Sequence, residues 1–570
     1  MNNQVLAKIF YEIAEYLKMD EVLFKPYAYQ KAAMALEGSE EDIQDVYDRN
    51  GIKGLIALEG IGKNIAELIE EYLKTGKIKY YQEFKKRLPL NLGELISVEG
   101  MGSKKAKILF RELRVRDLKT LEKAAKAHKI APLFGFGEKT EKNILEGIEF
   151  LKRSKGRFLL GEILPEVNRI IKKLESLKEI EQISPAGSVR RRKDTIGDVD
   201  ILVTTKNPKK IMEFFLSFPE IVKVWGKGQT KSSIRVKQGF DVDLRVLRKK
   251  SYGSALQYFT GSKEHNIATR RIAIQKGLKL SEYGLFKGSK MIAGWSESGI
   301  YKALGLDWIE PELREDRGEI EAAGKKKLPK LIGYNDIKGD LHCHSNWDGG
   351  EDSIVEMVKA AKSMGYEYIG ISDHTKFLRI ENGLDEKQLE KRNKEIDKLN
   401  KKQKNFKILK GAEVNILNNG SVDIKDESLK RLDYVIAGVH SNLKMPQKEM
   451  TERITRAMKN PNVDILSHPT GRILKRRDEY QCDFDKILKV AKEYDVALEI
   501  NASMERMDLN DQNIKKAKEA RVKMIINTDA HQKENLKYME LGISQARRGW
   551  AEKKDIINTN PLKKLLTYFR

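Results

Sequence analysis

The sequence predicts a multidomain chain with an α-helical amino-terminal region, an α+β middle region and an α/β carboxy-terminal region of barrel type. Its 570 residues are too many for one hydrophobic core. Residues 1–150 hold helix-like stretches separated by glycine-containing turns, whereas residues 183–247 hold short β-rich runs such as Asp200–Thr204 and Phe240–Leu247. After residue 335, short apolar runs alternate with charged helical stretches, which is the pattern of an α/β fold.

Composition points to a polyanionic partner. Lysine and arginine outnumber aspartate and glutamate by 108 to 84, for a net charge of +24, which favours nucleic acid over a membrane surface, although a generally lysine-rich proteome would explain the same excess. Only two cysteines, Cys343 and Cys482, argue against a disulfide framework and fit the cytoplasm. No apolar run reaches about 18 residues, so we expect no membrane span. The first twenty residues are typical of an amphipathic helix rather than a signal peptide.

A short repeat lies in the helical region. Each copy has glycine, an apolar residue and glycine before a helix-like stretch with an early lysine: Gly60-Ile61-Gly62 with Lys63, Gly100-Met101-Gly102 with Lys104, and a looser Gly135-Phe136-Gly137 with Lys139. Such turns bring backbone N–H groups at a helix N-terminus close to a phosphate. The first two copies resemble helix-hairpin-helix motifs, which grip the DNA backbone without reading its sequence. The resemblance implies DNA contacts at Gly60, Gly62, Lys63, Gly100, Gly102 and Lys104.

The strongest chemical signal in the first half is a set of carboxylates. Asp198 and Asp200 flank one residue of a predicted strand and therefore face the same side, and Asp241 and Asp243 repeat the pattern. Three such carboxylates can hold two Mg²⁺ ions, which activate an attacking hydroxyl and stabilise a leaving phosphate. The upstream Gly187-Ser188 turn and Arg191 can cradle a triphosphate. A solvated strand face is the alternative for an isolated pair.

The glycine–serine turn followed by Gly197-Asp198-Val199-Asp200 resembles the nucleotidyltransferases, and further motifs resemble DNA polymerase family X over roughly residues 1–315. These are Tyr27–Ala33, Tyr258–Ser262, Asn266 with Arg270, Lys276-Gly277 and Glu282-Tyr283. The resemblance implies an α+β palm and a thumb, with Mg²⁺ held by Asp198, Asp200 and Asp243. It also implies nucleotide contacts at Gly187, Ser188, Arg191, Gly197, Tyr258, Phe259, Gly261, Asn266 and Arg270.

Two positions depart from that family. Members with deoxyribose-phosphate lyase activity use a lysine as Schiff-base nucleophile, and the matching position here is Leu68. A neighbouring phosphate-binding lysine is replaced by Asn64, whereas Lys31 is kept as a DNA contact. We therefore predict weak or absent lyase activity by that route. Asp241 stands where arginine is often found, and the sequence offers no account of that change.

Six of the eight histidines follow residue 340, and each of them comes within three residues of the end of a short apolar run. These runs are Ile337–Leu341, Tyr366–Ser372, Phe406–Ala412, Tyr434–Val439, Val463–Ser467, Val496–Ile500 and Met524–Thr528. In a barrel-like α/β fold the carboxyl ends of parallel strands converge, so these side chains would meet. Imidazole with carboxylate suits Zn²⁺, Mn²⁺ or Fe²⁺. A lone histidine in this position would more simply be a hydrogen-bonded polar residue.

The ordered motifs DLHCHS, ISDH, GAEVN, AGVHS, LSHPTGR and NTDAH resemble the PHP (polymerase and histidinol phosphatase) family over residues 336–570. The resemblance implies a distorted (β/α)7 barrel that binds up to three Mn²⁺ or Zn²⁺ ions. The implied ligands are His342, His344, Asp348, His374, Glu413, His440, His468, Asp529 and His531, with Glu351 or Asp352 as alternatives to Asp348. It further implies 3′–5′ exonuclease activity and processing of 3′ ends or abasic sites. Arg472 could hold a substrate phosphate or lie in an exposed basic loop.

These motifs predict the domain order along the chain: a helical DNA-binding domain with the first hairpin (1–85), a fingers-like subdomain with the second (86–150), the palm (151–250), the thumb (251–317), a linker (318–335) and the PHP domain (336–570). We expect a monomeric repair polymerase that fills gapped or nicked DNA from deoxynucleoside triphosphates and cleans 3′ ends. The alternatives are a small-molecule phosphatase, a nuclease with a non-catalytic DNA-end-binding module, and a template-independent nucleotidyltransferase.

Overall fold

The computed structural model describes residues 2–569 apart from residues 21, 23, 24, 39, 40, 59, 97, 99, 100 and 155. The chain divides into two compact units. One comprises Met1–Lys155 with Lys475–Arg477, and the other comprises Gly156–Leu474 with Asp478–Arg570. The boundary between the units falls near the predicted start of the palm, and the predicted linker at 318–335 lies inside the second unit.

The first unit is helical, as its apolar spacing predicts. Helices α1 to α9 span Asn2–Met19, Lys25–Gly38, Ile43–Ile56, Lys63–Thr75, Lys79–Arg87, Leu92–Ile96, Ser103–Leu113, Leu118–Lys126 and Glu138–Ser154. Capping sets several of their ends: Asp117 and Thr120 form a capping box at the start of α8, and α4 ends at Gly76 in the left-handed region. The unit has its own apolar core, to which Phe10, Leu55 and Leu109 contribute fully buried side chains.

The second unit begins with the α+β region expected to be the palm. Its elements are β1 (Phe158–Leu159), α10 (Leu160–Glu175), β2 (Ile180–Pro185), α11 (Gly187–Arg190), β3 (Thr195–Ile196), β4 (Asp198–Thr205), α12 (Pro208–Leu216), β5 (Ile221–Lys227), β6 (Lys231–Val236) and β7 (Asp241–Leu247). The sheet order is β2-β4-β7-β6-β5. Only the β4–β7 pair among these neighbours is parallel, and alternate side chains of β7 are buried against α10 and α12.

The expected thumb follows as α13 (Tyr252–Thr260), α14 (Lys263–Gln275), β8 (Lys279–Ser281), β9 (Gly284–Lys287), β10 (Lys290–Ala293) and α15 (Glu297–Ala303). The next helix, α16 (Glu319–Gly324), occupies the stretch that the sequence predicts as a linker. Ile320 and Ala323 of α16 are buried in the core of the thumb. The predicted linker is therefore partly helical, because two apolar side chains on one turn are enough to dock it.

A parallel barrel forms the rest of the unit. Its strands β11 to β18 are Gly339–Cys343, Tyr368–Ile371, Lys407–Lys410, Glu413–Asn415, Ile436–Gly438, Ile465–Leu466, Ala497–Asn501 and Met524–Asn527. Helices α17 to α24 are Ile354–Ser363, Glu386–Asn400, Asp426–Leu429, Gln447–Met458, Phe484–Glu493, Asp511–Ala520, Met539–Arg548 and Leu562–Leu565. Each of the seven predicted apolar runs overlaps a strand, and the run at 406–412 continues after a break as β14.

The strands are paired in the order β11-β12-β13 and β14-β15-β16-β17-β18. A bridge between Cys343 and Ala530 joins β11 to the end of β18, and a bridge between His374 and Glu413 joins the end of β12 to β14. These bridges close the ring of strands, in which β13 and β14 together take the place of one strand. This is the distorted seven-stranded barrel expected from the sequence, and the ends of its strands carry the predicted ligands.

The palm and the barrel share buried surface within the second unit. Met507 and Leu541 of the barrel belong to the apolar cluster formed by the palm helices and sheet. A Cβ added at Gly161 of α10 would lie 2.5 Å from Cβ of Met504, so only glycine permits that contact. Among the described residues, no helix combines the length and the apolar content that crossing a bilayer requires.

Candidate active sites

Three aspartates lie together on the palm sheet. β4 and β7 run parallel in register, with Asp198 opposite Asp241 and Asp200 opposite Asp243. Because side chains alternate along a strand, Asp198, Asp200 and Asp243 project from the same face. The sequence predicts this arrangement along each strand, and the register of the sheet brings the two pairs side by side.

Basic side chains lie close to these carboxylates, which also repel one another. Nζ of Lys231 lies 2.7 Å from Asp243, and Arg245 lies 3.7 Å from Asp200 and 3.4 Å from Asp243. Burial, and then the Asp198 carboxylate, raise the pKa of Asp200 to about 6. Clustered oxygen donors that disfavour one another's charge are a donor set that fits Mg²⁺, which would relieve that repulsion.

The unexplained Asp241 has a partner on the neighbouring strand. Arg235 lies opposite it on β6 and donates two hydrogen bonds of 2.8 and 2.9 Å to its carboxylate, and Nε1 of Trp225 donates a third of 2.9 Å. The Arg235 guanidinium therefore holds the pKa of Asp241 below its ordinary value. The family often has an arginine at the position of Asp241. In this chain Arg235 lies on the same face of the sheet, on the neighbouring strand β6.

The glycine–serine turn lies over the carboxylates. Gly187 has a φ of +59° and opens α11, and a Cβ there would lie 3.2 Å from Oδ2 of Asp200. Ser188 follows within α11, and Gly197 sits directly before β4 with Arg157 nearby. The turn therefore lies next to the carboxylates of the predicted metal site, and its contacts with nucleotide remain predictions.

The predicted sugar and base contacts cluster at the end of α13 and on α14. The rings of Tyr258 and Phe259 meet edge to face with centroids 5.2 Å apart, and the guanidinium of Arg245 lies 4.4 Å from the centre of the Phe259 ring. The Asn266 side chain donates to the Tyr258 carbonyl at 2.7 Å. Nε of Arg270 donates to the Asn266 carbonyl at 3.1 Å. Arg245 therefore lies close to both the Phe259 ring and the carboxylates of Asp200 and Asp243.

Arg191, predicted to hold phosphate, has protein partners. Its Nε donates to Glu315 at 3.1 Å and its Nη1 donates to the Thr260 carbonyl, next to Gly261. Its neighbour Arg190 makes two bonds of 2.7 Å to Glu297. The two arginines therefore fasten the turn after Gly187 to the thumb, and a phosphate contact of Arg191 would come in addition to this task.

The first hairpin of the helical unit depends on two glycines for different reasons. Gly60 has a φ of +84°, and a Cβ there would lie 3.2 Å from Cγ of Lys31 and 3.3 Å from Cβ of Ala35. Gly62 is the N-cap of α4, with no atom within 4 Å of a Cβ built on it. The helix then starts at Lys63, so the lysine lies at the same N-terminus as the backbone N–H groups that have no partner within the helix.

In the second hairpin Gly102 is likewise the N-cap of α7, and Lys104 lies in the first turn, whereas Gly100 lies outside the described residues. At the expected lyase position on α4, Leu68 packs against the apolar core and Asn64 is exposed. The DNA contacts and the weak lyase activity remain predictions.

A buried carboxylate organises the histidines of the barrel. Oε2 of Glu413 lies 2.8 Å from Nδ1 of His374 and 3.2 Å from Nε2 of His342, and Oε1 lies 2.9 Å from Nε2 of His468 and 3.2 Å from Nε2 of His440. These residues come from the ends of five different strands. The barrel therefore gathers ligands that are more than a hundred residues apart.

Asp529 forms the neighbouring half of the centre. Its Oδ1 lies 3.5 Å from Nε2 of His342, 3.4 Å from Nε2 of His344 and 3.7 Å from Nδ1 of His531. Nitrogens of His344, His374 and His531 also lie within 4.8 Å of one another. The nine predicted ligands thus form overlapping groups around a common space rather than separate sites.

Unsatisfied polar atoms show that this donor set fits metal ions. Among the described residues, five buried atoms of the centre lie close to neighbours but outside hydrogen-bond geometry: His342 Nε2, His344 Nε2, His374 Nδ1, Glu413 Oε2 and His440 Nε2. Burial lowers the pKa of His440 to about 4, so this ring is neutral at pH 7. At His344 the Asp348 carboxylate outweighs burial and raises the pKa to about 10, so metal binding there would displace a proton. Neutral imidazole is the form that binds metal.

The loop after β11 favours Asp348 over its two alternatives. Oδ2 of Asp348 accepts hydrogen bonds of 2.7 Å from Nδ1 of His344 and from the backbone N–H of His374. Asp352 instead binds the backbone N–H and the ammonium group of Lys533. The backbone N–H of Glu351 donates to the His531 carbonyl. Asp348 is therefore placed either to orient His344 or to bind a metal itself.

Two residues that the sequence reasoning missed orient the ligands. Oε1 of Glu499 accepts from Nδ1 of His342 at 2.7 Å, and Oδ1 of Asn415 accepts from Nδ1 of His440 at 2.7 Å. Such partners fix which ring nitrogen faces the metal. A signal exists for Glu499, because it is the only charged residue in the otherwise apolar run Val496–Ile500.

Arg472 does not lie in an exposed loop. It is buried, donates to the Arg506 and Met507 carbonyls, and lies 3.3 Å from Asp194 of the palm. Arg506 approaches the predicted metal ligands instead, with its Nε 3.5 Å from Oδ2 of Asp529. Two loop carbonyls and the Asp194 carboxylate are therefore the protein partners of Arg472, and its contact with a substrate phosphate remains a prediction.

Family comparisons match four parts of the chain. The helix-hairpin-helix domain family matches residues 1–78, and a SAM-like helix-hairpin-helix tandem matches residues 92–149, which include the looser third copy of the repeat. The DNA polymerase beta thumb matches residues 255–315. The PHP domain matches residues 340–503, which carry seven of the nine predicted ligands.

Similar proteins fall into two groups. The DNA polymerase/3′-5′ exonuclease PolX of Bacillus subtilis is 36% identical, and the match covers 100% of both chains. A probable phosphatase of Thermoanaerobacter sp. is 39% identical over 23% of this chain and 56% of its own length. A probable phosphatase of Clostridium acetobutylicum is 33% identical over 34% of this chain and 78% of its own length.

Proposed function

Because the chain belongs to the family X DNA polymerases that carry a PHP domain, we propose that it extends DNA 3′ ends in the palm and trims or cleans them at the PHP centre. The proposed setting is gap filling during base-excision or end repair, on gapped or nicked DNA with deoxynucleoside triphosphates. The proposed enzyme is a cytoplasmic monomer. A net charge of +24 supports the polyanionic substrate.

The palm supplies the extension site. Mg²⁺ bound there would activate the primer hydroxyl and stabilise the leaving phosphate. Asp198, Asp200 and Asp243 would hold it, with Asp243 nearest the primer end. The Gly187 turn would place the triphosphate over these carboxylates, and the ring pair of Tyr258 and Phe259 would favour deoxyribose by its shape.

The barrel supplies the trimming site. Up to three Mn²⁺ or Zn²⁺ ions, bound by the nine ligands, would supply an activated water and neutralise the phosphate. Glu413 would bridge ligands from opposite sides of the ring, while Glu499 and Asn415 hold imidazoles in orientation. Arg506 is placed beside Asp529 to meet a substrate phosphate.

The single observation that carries this proposal is the coexistence of both complete donor sets in one compact unit. The three palm carboxylates share one sheet face, and the barrel histidines retain buried nitrogens without hydrogen bonds among the described residues. A non-catalytic DNA-binding module would have no reason to keep the first set. A vestigial barrel would have no reason to keep the second.

The test is primer extension on a one-nucleotide gap with Mg²⁺ or Mn²⁺. We expect Asp198→Ala/Asp200→Ala to lower extension by about 1000-fold, since metal stabilisation contributes several kcal/mol, while primer shortening persists. His342→Ala/His344→Ala should lose shortening and keep extension. Glu213→Ala, which removes an exposed carboxylate of the palm, is the control.

Unchanged products in both double variants would refute the assignment of both sites. A parallel reaction without a template strand separates gap filling from template-independent transfer, which would proceed equally well in both.

The match to probable phosphatases supports a second candidate for the barrel, a small-molecule phosphatase. Phosphate release from a sugar phosphate and from 3′-phosphorylated DNA should be compared with the same protein. Higher kcat/KM for the sugar phosphate would favour this second candidate.

A further inference from the structure

The segment that joins the Gly187 turn to the first carboxylate strand rests on the barrel. Arg192 lies 2.9 Å from Glu540, and Asp194 lies 3.3 Å from Arg472. Residues 191–194 connect two parts of the proposed nucleotide site. The barrel therefore contacts the segment between these two parts at more than one point.

Arg548, at the end of α23, provides the deepest of these contacts. Its Nη1 donates to the Arg191 carbonyl at 2.8 Å and to Oε1 of Glu315 at 3.0 Å, and its Nη2 donates to Asp511 at 2.5 Å. The side chain is buried. A guanidinium can bond in two directions at once from fixed positions, which a lysine ammonium cannot reproduce.

The contacts continue from Glu315 into the nucleotide pocket. The same oxygen, Oε1 of Glu315, accepts from Nε of Arg191 at 3.1 Å, and Nη1 of Arg191 donates to the Thr260 carbonyl. Thr260 directly follows Tyr258 and Phe259. An unbroken, largely buried series of charge-assisted hydrogen bonds thus runs from the barrel to the segment expected to contact the sugar.

We propose that Arg548 of the barrel is a positioning residue for nucleotide binding in the palm, an inference that rests on the proposed polymerase function. Arg548 holds Glu315, Glu315 holds Arg191, and Arg191 holds the Thr260 segment. Removal of one member leaves a buried charge without its partner and frees the next member to move. The three metal-binding aspartates lie outside this series.

The experiment measures gap filling by the full-length protein at varied nucleotide concentration. We expect Arg548→Met and Glu315→Gln each to raise the KM for nucleotide about tenfold, with kcat changed less than about threefold, since ground-state binding is what is lost. Arg548→Lys should fall between wild type and Arg548→Met. The double variant should be no worse than the worse single one, because both break the same series.

Glu540→Gln is the matched control, because it removes another palm–barrel ion pair that does not reach the Arg191 side chain. Its KM should stay within about twofold of wild type. Exonuclease activity, measured on a single-stranded primer, should persist in every variant and report that the barrel is folded. Glu315 lies outside the barrel, so its variant decides the question if Arg548→Met loses both activities.

Wild-type KM in both Arg548→Met and Glu315→Gln would overturn the inference. An equal rise in KM for Glu540→Gln would also overturn it, because general packing of the two domains would then be the cause. Failure of the wild-type protein to extend the primer would instead refute the proposed function itself.

Discussion

Glu499 shows how one side chain outside the predicted ligand set can orient residues of the proposed metal centre. It is fully buried on β17 and accepts from Nδ1 of His342, which leaves Nε2 of that ring facing Glu413 and Asp529. Its second oxygen accepts from the His468 backbone N–H at 2.8 Å. One carboxylate therefore positions two ligand-bearing segments.

Replacement of Glu499 tests this role at the scale of a residue. We expect Glu499→Ala to weaken Mn²⁺ binding and exonuclease activity by about 10- to 100-fold, because the orienting partner of a metal ligand is lost. Glu499→Gln keeps an acceptor oxygen and should lose less. Metal titration by calorimetry and nuclease assays measure both effects, with the exposed Glu493→Gln as control. Equal losses in the Ala and Gln variants would contradict an orienting role.

At the scale of the element, the two glycines of the first hairpin make separable contributions. We expect Gly60→Ala to destabilise the helical unit by about 1–2 kcal/mol, since alanine at a φ of +84° is strained and its Cβ would crowd Lys31. Gly62→Ala should cost only about 0.5 kcal/mol as an N-cap change. Thermal unfolding measures the difference.

In DNA binding, measured on folded protein, Gly62→Ala should have the larger effect of the two variants. A Cβ at Gly62 meets no protein atom but stands where a backbone phosphate is expected. At a temperature where both variants are folded, Gly62→Ala should weaken duplex binding more than Gly60→Ala does. Equal DNA affinity of Gly62→Ala and wild type would argue against phosphate contact by this hairpin.

Helix α15 carries the carboxylate that joins the palm turn to the thumb. Oε1 of Glu297 accepts a hydrogen bond of 2.7 Å from Nη1 of Arg190 and one of 2.6 Å from Nη1 of Arg314. Burial opposes its ionisation, but Arg314 and Arg190 hold the pKa of Glu297 at about 2. The lowered pKa means that this network stabilises the fold at pH above about 4.5 and loses its contribution as the pH falls toward 2.

We therefore expect Glu297→Gln to lower the free energy of unfolding at pH 7 by about 3 kcal/mol, because the buried Arg314 and the partly buried Arg190 lose their charged partner. The gap between this variant and wild type should narrow as the pH falls from about 5 toward 2. Denaturant unfolding at a series of pH values measures it, with exposed Glu213→Gln as control. A gap independent of pH would show that charge is not the cause.

For the whole molecule, the shared core of palm and barrel gives the proposed activities a common framework. We expect wild-type protein to extend a primer with a blocked 3′ end, and His342→Ala to leave it unextended while extending an unblocked primer normally. The reason is that the block must be removed before a free hydroxyl is available for the palm. Gel analysis of both primers over time measures this.

Equal extension of the blocked primer by wild type and His342→Ala would exclude cleaning by the barrel. A trap of unlabelled DNA added after binding tests whether both steps occur in one encounter. Loss of extension in its presence would mean that the DNA dissociates between the two steps.

Much of this molecule follows from the sequence because its signals are local. Alternation along a strand places Asp198 and Asp200 on one side, and an apolar run that ends in a histidine or acid marks a barrel strand. Asp117 similarly marks the start of α8 by its side-chain cap, and Gly76 marks the end of α4 by its left-handed backbone. Ordered motifs then indicate the family, because each motif reports the chemistry of its own short segment.

The rest depends on distant segments that pack together, and no local pattern encodes it. The sequence by itself predicted the barrel strands, the palm carboxylates, the histidines of the proposed metal centre and the order of the family motifs. Only the tertiary structure decided that Glu499 orients His342, that Arg472 turns to the palm, and that Arg548 reaches Arg191. The physical reason is that a buried charge takes its partner from whichever segment the fold brings within hydrogen-bond distance, however far away that segment lies in the chain.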